Sequence, residues 1–452
     1  MAVLRAYGIG ALSYLTPRLL GIILATIRRH KKKAQTNAGE QWKEAKEGKA
    51  HRSTGGDLLK LLREAVKIHR FPAFCGFTVA LFYGLEPLLK QQSRSRYAPK
   101  LLQSPQAATF IAGTLAGAGG LKLLNCRQKG DGGRTVDLTL FTLASDVRAI
   151  DIVVGQLWAN HKSRRQSSGK FTTFESLIGH LADPLVFAIS AGCVMHGWFY
   201  TPEKLPPSYN RQLITLADVD ERLIIALRRI YYGEFIYGVE NGQAPLLGEY
   251  AKDLNLPYEW GDPVKNIPIP CAVVHGRMFT SNCEVNAIRR FLNGAFKIAF
   301  PIYLGLNSIR FIRPKKPTIF ELVTALRSTL RSSTFLGLFI LIFYYSICLA
   351  RNRIGPYFIK NITNRENLGI RLGCILCGWS ILVETARRRT EFAFFVAPRA
   401  LALVVPRKWD MKWDWVEQTV FALSSGVLLT ALRHNPKRVR GVYGRLLGKV
   451  IN

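Results

Sequence analysis

The stretch SSTFLGLFILIFYYSICLA, residues 332–350, runs nineteen residues without a charge and is bracketed by Arg331 and Arg351. Crossing a hydrocarbon core of roughly 30 Å takes about 20 mostly apolar helical residues. This stretch meets that length, and its flanking arginines and Tyr344 and Tyr345 suit the membrane interfaces, so it reads as a membrane span. Working outward, weaker apolar segments occupy 71–89, 107–124, 138–157, 184–200, 291–311, 368–383, 392–405 and 416–432. Any one of them alone would suit a buried helix of a soluble protein. Eight around one clear span indicate an all-α polytopic integral membrane protein of about eight to ten transmembrane helices.

The chain has 452 residues, 48% hydrophobic and 21% charged, which excludes global disorder. Its 63 Lys and Arg against 30 Asp and Glu give a net charge of +33 and point to anionic partners. No nucleic-acid module accompanies that charge, and the basic residues flank apolar segments, so anionic lipid headgroups are the expected partner and nucleic acid is not. Eight cysteines spread over so long a chain imply reduced thiols rather than a disulfide framework. Residues 7–27 are apolar apart from Arg18 and end in RRHKKK, with no acidic residue before Glu40. A cleaved secretory signal fits poorly, because no small-residue cleavage site follows. A mitochondrial targeting helix competes with the preferred reading, a retained first membrane segment held by the basic cluster.

The apolar segments recur in order. TPRLLG at 16–21 answers to FPIYLG at 300–305, and FCGFTVALFYG near Phe74 to FLGLFILIFYY near Phe335. IAGTLAGAGGLKLL answers to IRLGCILCGWSILV. LFTLASDVRAIDIVV then answers to FAFFVAPRALALVV, aligning Arg148 with Arg399. Finally FAISAGCVMHG answers to FALSSGVLLTA, aligning Ser190 with Ser424 and Gly192 with Gly426. An odd number of spans per copy would invert the second copy in the bilayer. The implied organisation is a first membrane or amphipathic segment at 1–33, a charged linker at 34–70 and a first four-helix repeat at 71–200. A polar inter-repeat region at 201–290, a second repeat at 291–433 and a basic tail at 434–452 follow. Small residues four apart, at Gly113 and Gly117, Ala116 and Gly120, and Gly369 and Gly373, suit close helix packing in lipid. In the inter-repeat region, residues 218–230 read as an amphipathic helix capped by Asp218, with Val219, Leu223, Leu227 and Ile230 in one stripe.

Two groups of residues carry chemistry. In CAVVHGRMFTSNC, Cys271, His275 and Cys283 are good zinc ligands, and the first two share a face if the stretch is helical. A structural tetrahedral site needs four ligands, and no fourth stands nearby, so packing and hydrogen bonding compete with metal binding. The pair Cys374 and Cys377 lies in an apolar run and reads as small packing residues. Ionisable residues within apolar segments are costly in lipid and mark candidate solute or charge sites: Asp146, Arg148, Asp151, Lys297 and Arg399. Local pairing, as of Arg148 with Asp151, competes with convergence of Arg148 and Arg399 on a carboxylate or phosphate. No Walker A, HExxH, GxSxG or dinucleotide fingerprint occurs, so an enzyme is not expected.

On CAVVHGRMFTSNC, GCILCGWSILVE and FFVAPRALALVV, the chain resembles the transmembrane protein 135 family, related to the Tim17/Tim22/Tim23 superfamily. The resemblance covers roughly 218–432, and the Gly-rich 111–120 is similar to small-residue helices of the wider superfamily. It implies an intracellular membrane protein of peroxisomes, with mitochondria as the alternative, transporting or organising lipids or anionic metabolites. A translocase-like or scaffold subunit, acting in a homo-oligomer or membrane protein complex, is the competing expectation. The resemblance brings no catalytic residues, and animal members carry additional cysteines around the Cys/His element that have no match here.

Overall fold

The computed structural model describes residues 1–35, 54–93, 104–125, 138–278, 280–311, 317–405 and 411–451, so the middle of the charged linker lies outside the described residues. Every regular element among the described residues is helical. Hydrocarbon offers no water to backbone N–H and C=O groups, and a helix satisfies them within one segment. Among the described residues six helices are long and apolar enough to cross a bilayer: Phe71–Ser93, Pro105–Asn125, Thr173–Tyr200, Ile319–Arg353, Ile362–Val383 and Asp414–His434. Only 33 to 50% of the most apolar window of each is buried by protein. The uncovered remainder needs a solvent as apolar as itself, and water is not one.

The chain forms two compact units. The first comprises Met1–Ser167 and Trp409–Asn452, and the second Ser168–Lys408. The first unit opens with α1 (Ala2–Gln35), α2 (Thr54–Ala65), α3 (Phe71–Ser93), α4 (Pro105–Asn125) and α5 (Leu138–Ser167). The second holds α6 (Thr173–Tyr200), α7 (Pro207–Ala217), α8 (Glu221–Tyr232), α9 (Ala244–Asp253), α10 (Cys271–His275) and α11 (Cys283–Leu292). It continues with α12 (Phe300–Ser308), α13 (Ile319–Cys348), α14 (Gly355–Phe358), α15 (Ile362–Cys377) and α16 (Ala386–Val404). The chain then returns to the first unit with α17 (Met411–His434) and α18 (Gly441–Ile451). Capping boxes start two of the long helices: Thr172 with Glu175 at α6 and Thr318 with Glu321 at α13.

In the first unit α4 lies between α3 and α17, α1 packs on the far side of α3, and α5 on α17. Close approach requires small residues. A Cβ added at Gly113 would lie 3.1 Å from Cα of Gly426, and one at Gly117 would lie 2.5 Å from Cβ of Ser425. Gly120 faces Thr78 and Phe74 of α3 in the same way. In the second unit α15 lies between α13 and α6, α16 packs on α6, and α11 and α12 border α13. There a Cβ at Gly369 would lie 3.4 Å from Cα of Ile347, and one at Gly373 would lie 3.0 Å from Phe343.

The structure departs from the sequence-based expectation in three places. The amphipathic helix of the inter-repeat region is capped by Asp220, whose carboxylate accepts from the Arg222 N–H at 2.9 Å. Asp218 instead takes a left-handed conformation that ends α7, and Leu223 and Ile230 are buried as the stripe requires. The segment 291–311 is an interrupted helix, with a π turn at Asn293–Ala299 and a tighter turn at Ile309–Phe311. Pro301 follows that π turn and lacks the N–H that a regular ladder would use. The basic C-terminal stretch forms α18, whose Val450 and Ile451 are buried, and the Tyr83 hydroxyl donates to the Ile451 carbonyl at 2.7 Å.

The close contact of α4 with α17 predicts that Gly117→Leu lowers stability by about 3 kcal/mol or more, because neither backbone can yield without repacking. Gly84→Leu on α3, where an added Cβ meets nothing within 4 Å, is the control expected to change stability little. Thermal unfolding of both variants in detergent, followed by fluorescence, checks the difference.

Candidate functional site

The Cys/His element is built by local sequence. Pro270 precedes α10 as its N-cap, and Gly276, at φ 61°, ends the helix in a conformation strained for other residues. The single turn between them puts Cys271 and His275 on one face. Asn282 caps α11 by accepting from the N–H groups of Glu284 at 2.9 Å and Val285 at 3.0 Å, which makes Cys283 the first helical residue. One ligand atom from each of Cys271, His275 and Cys283 lies within 4.8 Å of the others. The two sulfurs are 3.9 Å apart.

A further thiol completes the group. Cys348, at the C-terminal end of α13 and 73 residues after His275, lies 3.4 Å from His275 Nε2 and is buried. It also neighbours Cys283 and Cys271. His275 Nδ1 is 2.7 Å from the Thr280 carbonyl, an acceptor only, so Nδ1 carries the proton and Nε2 presents its lone pair to the sulfurs. Burial holds His275 below its ordinary range despite the Thr280 bond, and the Arg290 and Arg351 guanidiniums act in the same direction as burial. Burial pushes the Cys271 thiol up to about 11, while the Arg351 charge opposes that rise. The Asn352 side-chain amide donates to Cys271 Sγ at 2.8 Å.

Two buried guanidiniums surround this group. Arg290 donates to Asn286 Oδ1 and to the carbonyls of Ala217 and His275, each at 3.2 Å, and lies 3.7 Å over the Tyr344 ring. Arg351 follows α13 in a π turn and pairs with Glu366 of α15 at 2.7 Å, both side chains almost fully buried. The Tyr237 hydroxyl donates to Glu366 at 3.0 Å, and Arg351 donates to the Ile269 carbonyl. These bonds join the polar inter-repeat region to the ends of α13 and α15.

The second unit also contains an apolar cavity of about 310 Å³ lined by α6, α7, α12, α13 and α16. Phe187, Met195, Tyr209, Leu216, Phe339 and Phe395 are among its walls. Arg399 stands beside it, 5.2 Å over the Tyr209 ring and 3.7 Å over the Phe395 ring. Among the described residues its guanidinium donates to the Phe395 carbonyl on its own helix, and no carboxylate is paired with it. Burial pushes the Tyr209 hydroxyl above its ordinary range and the Arg399 charge opposes this.

The other singled-out charges lie apart. Asp146 accepts from the Ser424 hydroxyl at 3.3 Å. Asp151 pairs with Arg440, including a 3.0 Å bond from Nε, and so uses a distant partner rather than Arg148. Arg148 donates to the Ala144 carbonyl at 2.9 Å and lies 4.6 Å from the Tyr443 ring centre. Arg148 belongs to the first unit and Arg399 to the second. Lys297 is exposed on the π turn. Cys374 and Cys377 are buried in the contact of α15 with its neighbours.

Set against protein-family models, curated proteins and solved structures, the chain matches none of them. Function therefore has to be read from these two sites. Sequence reasoning missed Cys348 because it closes an apolar run and reads as one more span residue. Its place at the end of the span, directly before the polar LARNR turn, was the available signal.

The Arg351–Glu366 pair predicts that Glu366→Gln destabilises the second unit by about 3–5 kcal/mol, since it strands a buried guanidinium. The double change Arg351→Met with Glu366→Leu is expected to recover most of that loss. Thermal unfolding of the purified single and double variants checks this.

Proposed function

We propose that the chain is an organelle membrane protein, peroxisomal with mitochondrial as the alternative, that binds and transports or organises lipids or other amphipathic anions. The reading rests on the aromatic-walled cavity with Arg399 at its edge. An acyl chain gains by entering an apolar cavity, and a guanidinium paired with no carboxylate suits a carboxylate or phosphate headgroup. The resemblance to the transmembrane protein 135 family supports the same class.

The proposed architecture is ten membrane-associated helical segments in two inverted repeats with small-residue packing, each repeat giving its fifth helix to the other unit. The first repeat is α1, α3, α4, α5 and α6, and the second is the α11–α12 segment, α13, α15, α16 and α17. What supports this is the neighbour order. In the first unit α1, α3, α4, α17 and α5 follow one another; in the second, α11–α12, α13, α15, α6 and α16 do so. The likeness extends past the fifth helices. TPEKLPPSYNRQLI, after α6, and NPKRVRGVYGRLLG, after α17, both form a short turn and then an amphipathic helix with Tyr209 or Tyr443 third. Those tyrosines receive Arg399 and Arg148, and each arginine also donates to the carbonyl four residues before it. Although α5 carries more charge than the six apolar helices, it exposes Ile150, Val153, Val154 and Leu157 as one apolar stripe, as a lipid-facing helix would.

A scaffold or translocase-like role is favoured by the glycine contacts of α4 with α17, which need no solute path. Labelling of the purified protein in nanodiscs with a photoactivatable fatty acid separates the two. Leu216→Trp, which fills the cavity, is expected to lower labelling of the second unit about tenfold, and Arg399→Gln to lower it severalfold. Unchanged labelling in both folded variants would overturn the lipid-binding reading and leave the scaffold role.

A further inference from the structure

We propose that Cys271, His275, Cys283 and Cys348 form a tetrahedral zinc site that fastens the inter-repeat region to the end of the membrane helix α13. The fourth ligand is the element that the CAVVHGRMFTSNC motif lacks. Metal–sulfur bonds of about 2.3 Å and a metal–nitrogen bond of about 2.0 Å place ligand atoms about 3.5–3.8 Å apart around a tetrahedron. The 3.9 Å between the sulfurs of Cys271 and Cys283 and the 3.4 Å between His275 Nε2 and Cys348 Sγ fit that spacing. Three motif atoms all within 4.8 Å of one another enclose a single ion rather than a two-metal cluster.

The surroundings have the features that a metal-bound histidine requires. His275 gives its other ring N–H to the Thr280 carbonyl, which fixes the tautomer and aims Nε2 at the centre. Asn352 donates to Cys271 Sγ at 2.8 Å, a bond that strengthens when the sulfur is a thiolate. Cys283 begins α11, whose N-terminal N–H groups also favour a thiolate. Binding Zn²⁺ displaces three thiol protons to solvent, leaving three thiolates, one neutral imidazole and a net charge of −1. Arg351 neighbours Cys271 and Cys348, and its buried Nη1 has no hydrogen-bond acceptor among the described residues. A thiolate beside it supplies that acceptor. A Cys271–Cys283 disulfide would require the sulfurs to close to about 2.05 Å and would leave His275 and Cys348 without a role.

The test is metal content of the full chain purified in detergent without chelators, measured by mass spectrometry. About one zinc per chain is expected, falling at least fivefold in Cys348→Ser and in His275→Gln. Cys193→Ser, which removes an exposed thiol, should keep it. X-ray absorption at the zinc edge of the unaltered protein gives a reading that does not depend on variants folding, and three sulfurs with one nitrogen are expected. Protein without zinc, full zinc in folded Cys348→Ser, a different ligand count, or a Cys271–Cys283 disulfide in the purified chain would each overturn the proposal.

Discussion

Hydrocarbon must solvate what the protein leaves uncovered, and the remaining structure depends on that condition. Val154 of α5, Ile189 of α6 and Ile375 of α15 are between half and three-fifths exposed, and each lies on an apolar helix face that the described residues leave largely open. In water such faces would attract one another and aggregate. In lipid they cost nothing, and the helices are then held together by shape and by polar bonds rather than by expulsion of water. Glycines stand at close contacts of α4 with α17 and of α15 with α13, where an added Cβ would crowd the neighbouring helix.

The same condition governs the charges. A buried ion persists only with its partners, as Arg351 does with Glu366. Arg399 differs because its surroundings are two aromatic rings and a backbone carbonyl. The proposed lipid anion would complete that environment. The Cys/His group lies at the other extreme, with buried or half-buried thiols, an oriented imidazole and, beside them, the Arg351 Nη1, which has no acceptor among the described residues. One site therefore suits an exchangeable occupant and the other a permanent one.

Legibility in the sequence followed the range of the interaction concerned. The uncharged run at 332–350 identified α13 because contiguity is local, and Cys271 with His275 could be placed together because a helical turn is local too. The cap of α8 was misplaced by two residues, since Asp218 and Asp220 offer the same side chain and only the end of α7 decides between them. Local pairing of Arg148 with Asp151 also misled, because Arg440 reaches Asp151 from 289 residues away. Cys348 was missed because the ligands it joins lie 65 to 77 residues before it in the sequence. The sequence likeness that suggests a repeat reaches Gly192 and Gly426, and the tyrosine-bearing segments beyond it read as ordinary polar loops in the sequence.

The most direct test of the central claim is the collision accessibility of nitroxide spin labels at Val154, Ile189 and Ile375 in the protein reconstituted into bilayers. The account predicts strong relaxation by oxygen, which concentrates in hydrocarbon, and weak relaxation by a water-soluble nickel chelate at all three positions. Nickel accessibility equal to that of a label in the polar inter-repeat region would place these faces in water and contradict it.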